Sequence, residues 1–295
     1  MPEGPQVARY ARLQSALLVG KRVRADSPNG RSDEVAASID GLKLLRIDAI
    51  GKHLLYDFGK ERYLHVHLGR FGNFDDGPMP LPDVTGILRF RMYTRTHWFE
   101  LRGAIAIERY DAEARAALEK RIGPNPLDPD ADPMRAYAKI AKSRASIGLL
   151  MMDQAIVGGI GNIYRSEVLF MNRVNPMRPG NTIDRKTWRA IWKDLVRVMA
   201  HGAIHGRIVT TDPKDRDRKT GAVRAGDRFY VYRRDGLPCR RCGTLVATAV
   251  IGSRNVFWCP NDQPASVDDV PNHVKKRSAS AGSGSAQTSR LPKTS

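Results

Sequence analysis

Between Glu3 and Leu18 apolar residues recur at Val7, Tyr10, Ala11, Leu17 and Leu18, close to the helical period. This spacing predicts a leading helix that Gly20 stops. From Lys21 to about Ile107 the pattern breaks into short alternating runs, at 44–47, 53–58, 63–68, 86–92 and 104–107, separated by turn residues. Such runs predict an antiparallel sandwich or barrel. After Gly123-Pro124-Asn125-Pro126-Leu127 the period lengthens again, and Asp128–Pro133 reads as a Pro/Asp connector with a hinge. Helices are expected over 134–152, 162–171 and 185–201. Asn162 caps the second and Asp184 the third, and Asn175-Pro176 closes the second. The polar stretch 209–228 reads as a mobile loop, and 229–262 as two strands around a turn. The Ser/Ala/Gly/Lys-rich remainder is expected to be disordered.

The expected fold class is therefore α+β: an N-terminal β domain with a leading helix, a helical domain and a β-hairpin. The corresponding boundaries are 1–122, 123–228, 229–263 and 264–295.

Charge narrows the function. The chain has 295 residues and a formal net charge of +18, to which the stretch from Pro264 onward contributes only +3. A folded body this basic points to a polyanion, most simply nucleic acid. The sequence has no run of about 20 apolar residues and no signal-peptide pattern. A soluble cytoplasmic, nucleoid-associated protein with no membrane partner is expected. Three cysteines do not make a disulfide framework in a chain of this length.

Those cysteines fall as Cys239-x2-Cys242-x16-Cys259-x2-Asp262. The spacing is that of a zinc ribbon, with Asp where a fourth Cys would be expected. A structural Cys3Asp zinc site, a labile site completed by water, and a hairpin that needs no metal all remain open. Arg254, expected at the tip of the hairpin turn, offers a fork of donors suited to a phosphate. In Val157-Gly158-Gly159-Ile160-Gly161-Asn162 a Gly-rich turn meets a helix N-terminus. That arrangement makes an anion site, and on so basic a chain the natural anion is a DNA phosphate.

The first residues carry the most specific chemistry. Removal of Met1 would expose the secondary amine of Pro2, with Glu3 beside it. An α-amino group titrates near pH ~8, far below lysine, so more of it is nucleophilic at neutral pH. Its attack on a sugar aldehyde gives an iminium that acts as an electron sink.

Pro2-Glu3-Gly4-Pro5, Gly51-Lys52-His53-Leu54, Gly159-Ile160-Gly161-Asn162-Ile163-Tyr164 and the ribbon carrying Arg254 occur in this order. Together they resemble the formamidopyrimidine-DNA glycosylase/endonuclease VIII family over residues 2 to about 263. The resemblance implies a β-sandwich N-terminal domain and a C-terminal domain with a helix–two-turn–helix motif and a zinc-finger hairpin. It implies damaged double-stranded DNA as partner, bound by a monomer, and Zn2+ as cofactor, held by Cys239, Cys242, Cys259 and Asp262. It makes Pro2 the nucleophile at C1′ and Glu3 the acid on the sugar ring oxygen. Lys52, Asn162 and Arg254 would grip the phosphates around the lesion, with Tyr164 supporting them. Base release would be followed by β,δ-elimination. Arg70 or Phe71, after the 65–67 strand, would fill the space left by the extruded base.

Gln6 departs from the Glu common in the family at the edge of the base pocket. Gly4 and Pro5 favour the endonuclease VIII branch and oxidised pyrimidines. Two rival readings are a lesion- or abasic-site-binding protein without turnover and a zinc-ribbon transcription factor or RNA-binding protein. His65 and His67 share one strand face with no third ligand evident, and packing or DNA-facing roles are expected. His201 and His205, at i and i+4, read as helix-end residues. The Lys275-Lys276-Arg277 run reads as part of a solvated tail.

Overall fold

A computed structural model of the chain describes residues 2–265. The tail expectation for 266–295, with its Lys275-Lys276-Arg277 run, lies outside the described residues.

The leading helix, α1, spans Gly4–Leu18 and buries Val7, Tyr10, Ala11, Gln14 and Leu18. Strands β1 (Arg24–Asp26), β2 (Arg46–Ile50), β3 (His53–Asp57), β4 (Tyr63–His67), β5 (Asn73–Pro78), β6 (Phe90–Tyr93), β7 (His97–Arg102) and β8 (Ala106–Tyr110) follow, with helix α2 (Asp33–Ile39) after β1. They form two antiparallel sheets of four strands, ordered β1-β6-β7-β5 and β2-β3-β4-β8. Val23, Leu54, Tyr56, Leu64, Val66, Phe90, Met92, Phe99 and Leu101 fill one core shared by both sheets and α1. The domain is a sandwich.

Helix α3 (Ala112–Arg121) was not expected from the sequence. It carries one buried residue, Leu118, and so shows no apolar stripe. Asp111 caps it, and Leu118 and Ile122 cover Leu55 on the outer face of β3. This explains why His53, Leu54, Leu55 and Tyr56 are all buried, where a half-exposed strand would alternate.

The helical part comprises α4 (Pro133–Ile140), α5 (Ile147–Leu150), α6 (Asn162–Met171) and α7 (Arg185–His205). The helix expected over 134–152 is two helices. Ser143 and Ser146 accept hydrogen bonds from the backbone N–H groups of Ala145 and Leu149, which end one helix and cap the next. Asp184 caps α7 as expected, accepting from Thr187 N at 2.7 Å, and the helix runs one turn past His201 to His205. Strands β9 (Ala247–Ile251) and β10 (Arg254–Trp258) form the hairpin. Tyr230, Val231, Val246, Phe257 and Cys259 bury it against Phe170 of α6.

The 209–228 segment is anchored at both ends, where a free loop was expected. Thr210 donates to the buried Glu167 carboxylate, which also accepts from the backbone N–H groups of Tyr230, Val231 and Tyr232 at 2.7–2.8 Å. Arg240 reaches Asp227 at 3.2 Å and Asp217 at 2.9 Å. No described helix is long and apolar enough to cross a membrane.

Candidate active site

Helix α1 delivers Glu3 to the Gly-rich turn of the helical part. Gly4 N donates to Gly159 O at 2.8 Å. A Cβ on Gly4 would sit 2.8 Å from Gly159 Cα, so only glycine permits this approach. The Glu3 side chain then runs into the start of α6 and is 1 % exposed. Its Oε2 accepts from Gly161 N at 3.0 Å and its Oε1 from Ile163 N at 2.9 Å.

This corrects two expectations about the turn. The N-cap residue of α6 is Gly161, and Asn162 is the first residue within the helix and makes no capping bond. The Gly161 and Ile163 amides at the helix N-terminus donate to the protein's own Glu3 carboxyl, where a DNA phosphate was expected. The positive end of α6 and its unpaired amides therefore hold the acid in place.

Burial pushes the Glu3 pKa up, against the pull of Lys52 and the amide donors. Lys52, in the β2–β3 turn, is pushed the opposite way by burial and by repulsion from Arg254, while Glu3 raises it. Lys52, from the sandwich, thus lies within electrostatic reach of Glu3 at the start of α1 and of Arg254 in the hairpin. Burial thus biases both members of the acid–lysine pair toward their neutral forms, which on the Glu3 side suits a proton donor.

Arg254 is the first residue of β10, paired with Ile251, and the turn itself is Gly252-Ser253. Its strand is tied to α6 through the Asn255 carbonyl, which accepts from Asn162 Nδ2 at 2.9 Å and from Arg165 Nη2 at 3.0 Å. Arg165 is fully buried, donates also to Gly148 O at 3.1 Å, and has its pKa lowered to about 10 by burial and Arg254. Sequence reasoning missed this residue. Its one signal was a cation in a helix that carries no other positive charge.

Tyr164 stands elsewhere. Its side chain is fully buried in the helical core, with its hydroxyl against Gly202 of α7. Arg70 and Phe71 form an exposed tip between β4 and β5, with the guanidinium 5.6 Å from the ring centre and Phe71 78 % exposed. Ile105, another exposed apolar residue, packs beside it against Gly69. It fell inside an expected strand and drew no attention.

His65 and His67 do have a third histidine beside them. His53 Nδ1 lies 2.8 Å from His65 Nε2, His65 Nδ1 lies 3.0 Å from Glu108 Oε2, and the His53 and His67 rings are 4.6 Å apart. A nitrogen pair at 2.8 Å is a hydrogen bond, and the group reads as a packed polar chain. Burial lowers all three pKa values.

One ligand atom each from Cys239, Cys242, Cys259 and Asp262 lies within 4.8 Å of the others. Four donors at that separation fit tetrahedral Zn2+, and the carboxylate completes the set that three thiolates leave open. Bound zinc would pin the knuckles that carry β9 and β10. Zinc extraction by a strong chelator is expected to lower the thermal midpoint by roughly 4 °C or more, equivalent to about 2 kcal/mol. Asp262→Cys should slow extraction, and Asp262→Ala should hasten it. A midpoint unchanged after metal analysis confirms removal would show that the hairpin stands without zinc.

Residues 1–102 match the formamidopyrimidine-DNA glycosylase N-terminal domain, 122–213 the formamidopyrimidine-DNA glycosylase H2TH domain, and 236–265 the zinc finger found in FPG and IleRS. Endonuclease 8 1 of Mycobacterium tuberculosis (strain ATCC 25618 / H37Rv) is 40% identical over 264 residues, covering 88% of this chain and 98% of that protein. The formamidopyrimidine-DNA glycosylase of Laribacter hongkongensis is 30% identical over 271 residues, covering 88% and 98%. In fold, the chain is similar to Lactococcus lactis Fpg (MutM) in complex with DNA containing N7-benzyl-Fapy-dG. That match has a TM-score of 0.75 and 22% identity, covering 90% of this chain and 100% of that one. The same protein with abasic-site DNA gives 0.75 and 21%, covering 89% and 100%. The sandwich, the two-turn helical domain and the hairpin, joined at the Glu3–α6 contact, belong to a chain of the formamidopyrimidine-DNA glycosylase/endonuclease VIII family, whose members are DNA glycosylase/AP lyases.

Proposed function

We propose that this chain is a bifunctional glycosylase/AP lyase that removes oxidised bases, pyrimidines foremost, from double-stranded DNA. It acts as a monomer. The observation that carries the reading is the buried Glu3 carboxyl on the Gly161 and Ile163 amides, adjoining Pro2 and facing Lys52.

With Met1 removed, the Pro2 nitrogen forms a bond to C1′ of an extruded nucleotide. The bond from C1′ to the base breaks, the departing base taking up the proton that the Pro2 nitrogen gives up, and Glu3 protonates the ring oxygen as the sugar opens to the iminium. The resulting iminium acidifies the C2′ protons. Loss of one expels the 3′ phosphate by β-elimination, and δ-elimination then releases the 5′ phosphate. Lys52, Arg254 and Asn162 hold the flanking phosphates, and Arg70 and Phe71 enter the vacated stack. Extrusion costs a few kcal/mol, which grip on the backbone from both sides offsets. The pyrimidine preference rests on Gly4-Pro5 and on the likeness to endonuclease 8 proteins. Gln6 can donate as well as accept at the pocket edge, which shifts base choice relative to a Glu.

Borohydride trapping tests the reading. Wild-type protein on abasic-site DNA should give a covalent adduct as the iminium is reduced, and Pro2→Gly or an N-terminal extension should give none. Tight binding to lesion DNA with no adduct and no base release from wild type would favour a binding protein without turnover.

A further inference from the structure

A directed chain of hydrogen bonds joins the acid-bearing end of α1 to the exposed tip. Gln6 N donates to Glu3 O at 2.9 Å, so Gln6 sits in the same first turn as the acid. Gln6 Nε2 donates to Tyr10 Oη at 2.9 Å. Tyr10 Oη donates to Asn73 Oδ1 at 2.7 Å, and Asn73 Nδ2 donates to Asp75 Oδ1 at 3.2 Å. The three side-chain bonds from Gln6 to Asp75 all run the same way and end on a carboxylate, so each polarises the next.

Tyr10 is 7 % exposed, and its ring is held edge-on to Phe74 at 5.2 Å. The hydroxyl therefore has one position. Asn73, the first residue of β5, follows directly on Arg70-Phe71-Gly72. That turn is closed, with Gly72 N donating to Leu68 O at 2.9 Å. Fixing Asn73 therefore fixes the tip. The direction of the chain depends on an amide at position 6. An ionised Glu there could only accept, and would draw the hydrogen bond of the Tyr10 hydroxyl to itself. Asn73 would then have to turn its NH2 to Tyr10 and its oxygen toward Asp75, against like charge.

We propose that Tyr10 is a positioning residue that sets the Arg70–Phe71 tip against the Glu3 end of α1. Entry of the tip into the base stack and delivery of the acid then occur in one register. The inference rests on the glycosylase reading above.

Tyr10→Phe removes the hydroxyl and keeps the ring. Single-turnover base release from a duplex lesion should fall about tenfold, the size of one hydrogen bond. Extrusion, followed by 2-aminopurine placed beside the lesion, should slow by the same factor. Cleavage of a preformed abasic site in single-stranded DNA, which needs no extrusion, should stay within about twofold. Asn73→Ala should reproduce the loss, and the double variant should be no worse than either single one. Duplex base release at the wild-type rate in both variants would overturn the proposal. So would equal loss on both substrates, or losses that add. If the glycosylase reading itself is wrong, wild-type protein processes neither substrate, a result distinct from all of these.

Discussion

Glu3→Gln is expected to lower base release from an intact lesion by about 10³-fold, near the middle of the range for a general acid and about 4 kcal/mol of barrier. Cleavage of a preformed abasic site should survive in large part, because the Pro2 amine needs no base to expel. Gln keeps one acceptor oxygen for the Gly161 or Ile163 amide but turns an NH2 toward the other. A smaller second effect on the start of α6 should therefore appear as a modest fall in thermal midpoint. The pH profile gives the sharper test. Burial raises the Glu3 pKa, so the acid stays protonated to higher pH than an exposed glutamate. Base release should decline as pH rises through that elevated value, and Glu3→Gln should flatten the decline. A variant that keeps the wild-type limb would assign it to another group. Equal loss of both activities would remove the division of labour between Glu3 and Pro2.

Gly161→Ala is expected to cost about 10² or more in base release while leaving the acid in the sequence. A Cβ at this position would lie 2.5 Å from Glu3 Oε1. The carboxyl must swing away and lose both amide donors, and a misplaced group can cost about 10²-fold. Because the substitution acts through Glu3, combining it with Glu3→Gln should add little. Additive losses would mean that Gly161 serves the backbone path of α6 alone. The two variants separate having an acid from holding it in place.

Much of this arrangement was legible in the chain because local chemistry announces itself. Pro2-Glu3, Gly51-Lys52, the Gly-rich turn and the cysteine spacing are short-range signals, and the hairpin follows from its turn. What stayed hidden depends on contacts between distant segments. Nothing within Gly159–Ile163 shows that its anion is Glu3, some 160 residues away. Arg165 looks like a surface polar residue until the hairpin arrives and the Asn255 carbonyl gives it a partner. Tyr164 sits in a motif that reads as DNA-facing, yet helical geometry turns its ring into the core. Helix α3 escaped because a helix that buries one leucine carries no periodic stripe. The serine-broken helix at 141–146 escaped because its apolar period continues across the break while the backbone does not.

The Asn255 carbonyl that holds β10 to α6 has a consequence for synthesis. The acid enters at the third residue of the chain, and the arginine that joins it arrives about 250 residues later. Contacts of such separation form late in folding. A nascent chain can thus complete its sandwich on the ribosome while lacking the hairpin side of its grip. The Arg254 side of the site is therefore complete only once the ribbon has been made and docked.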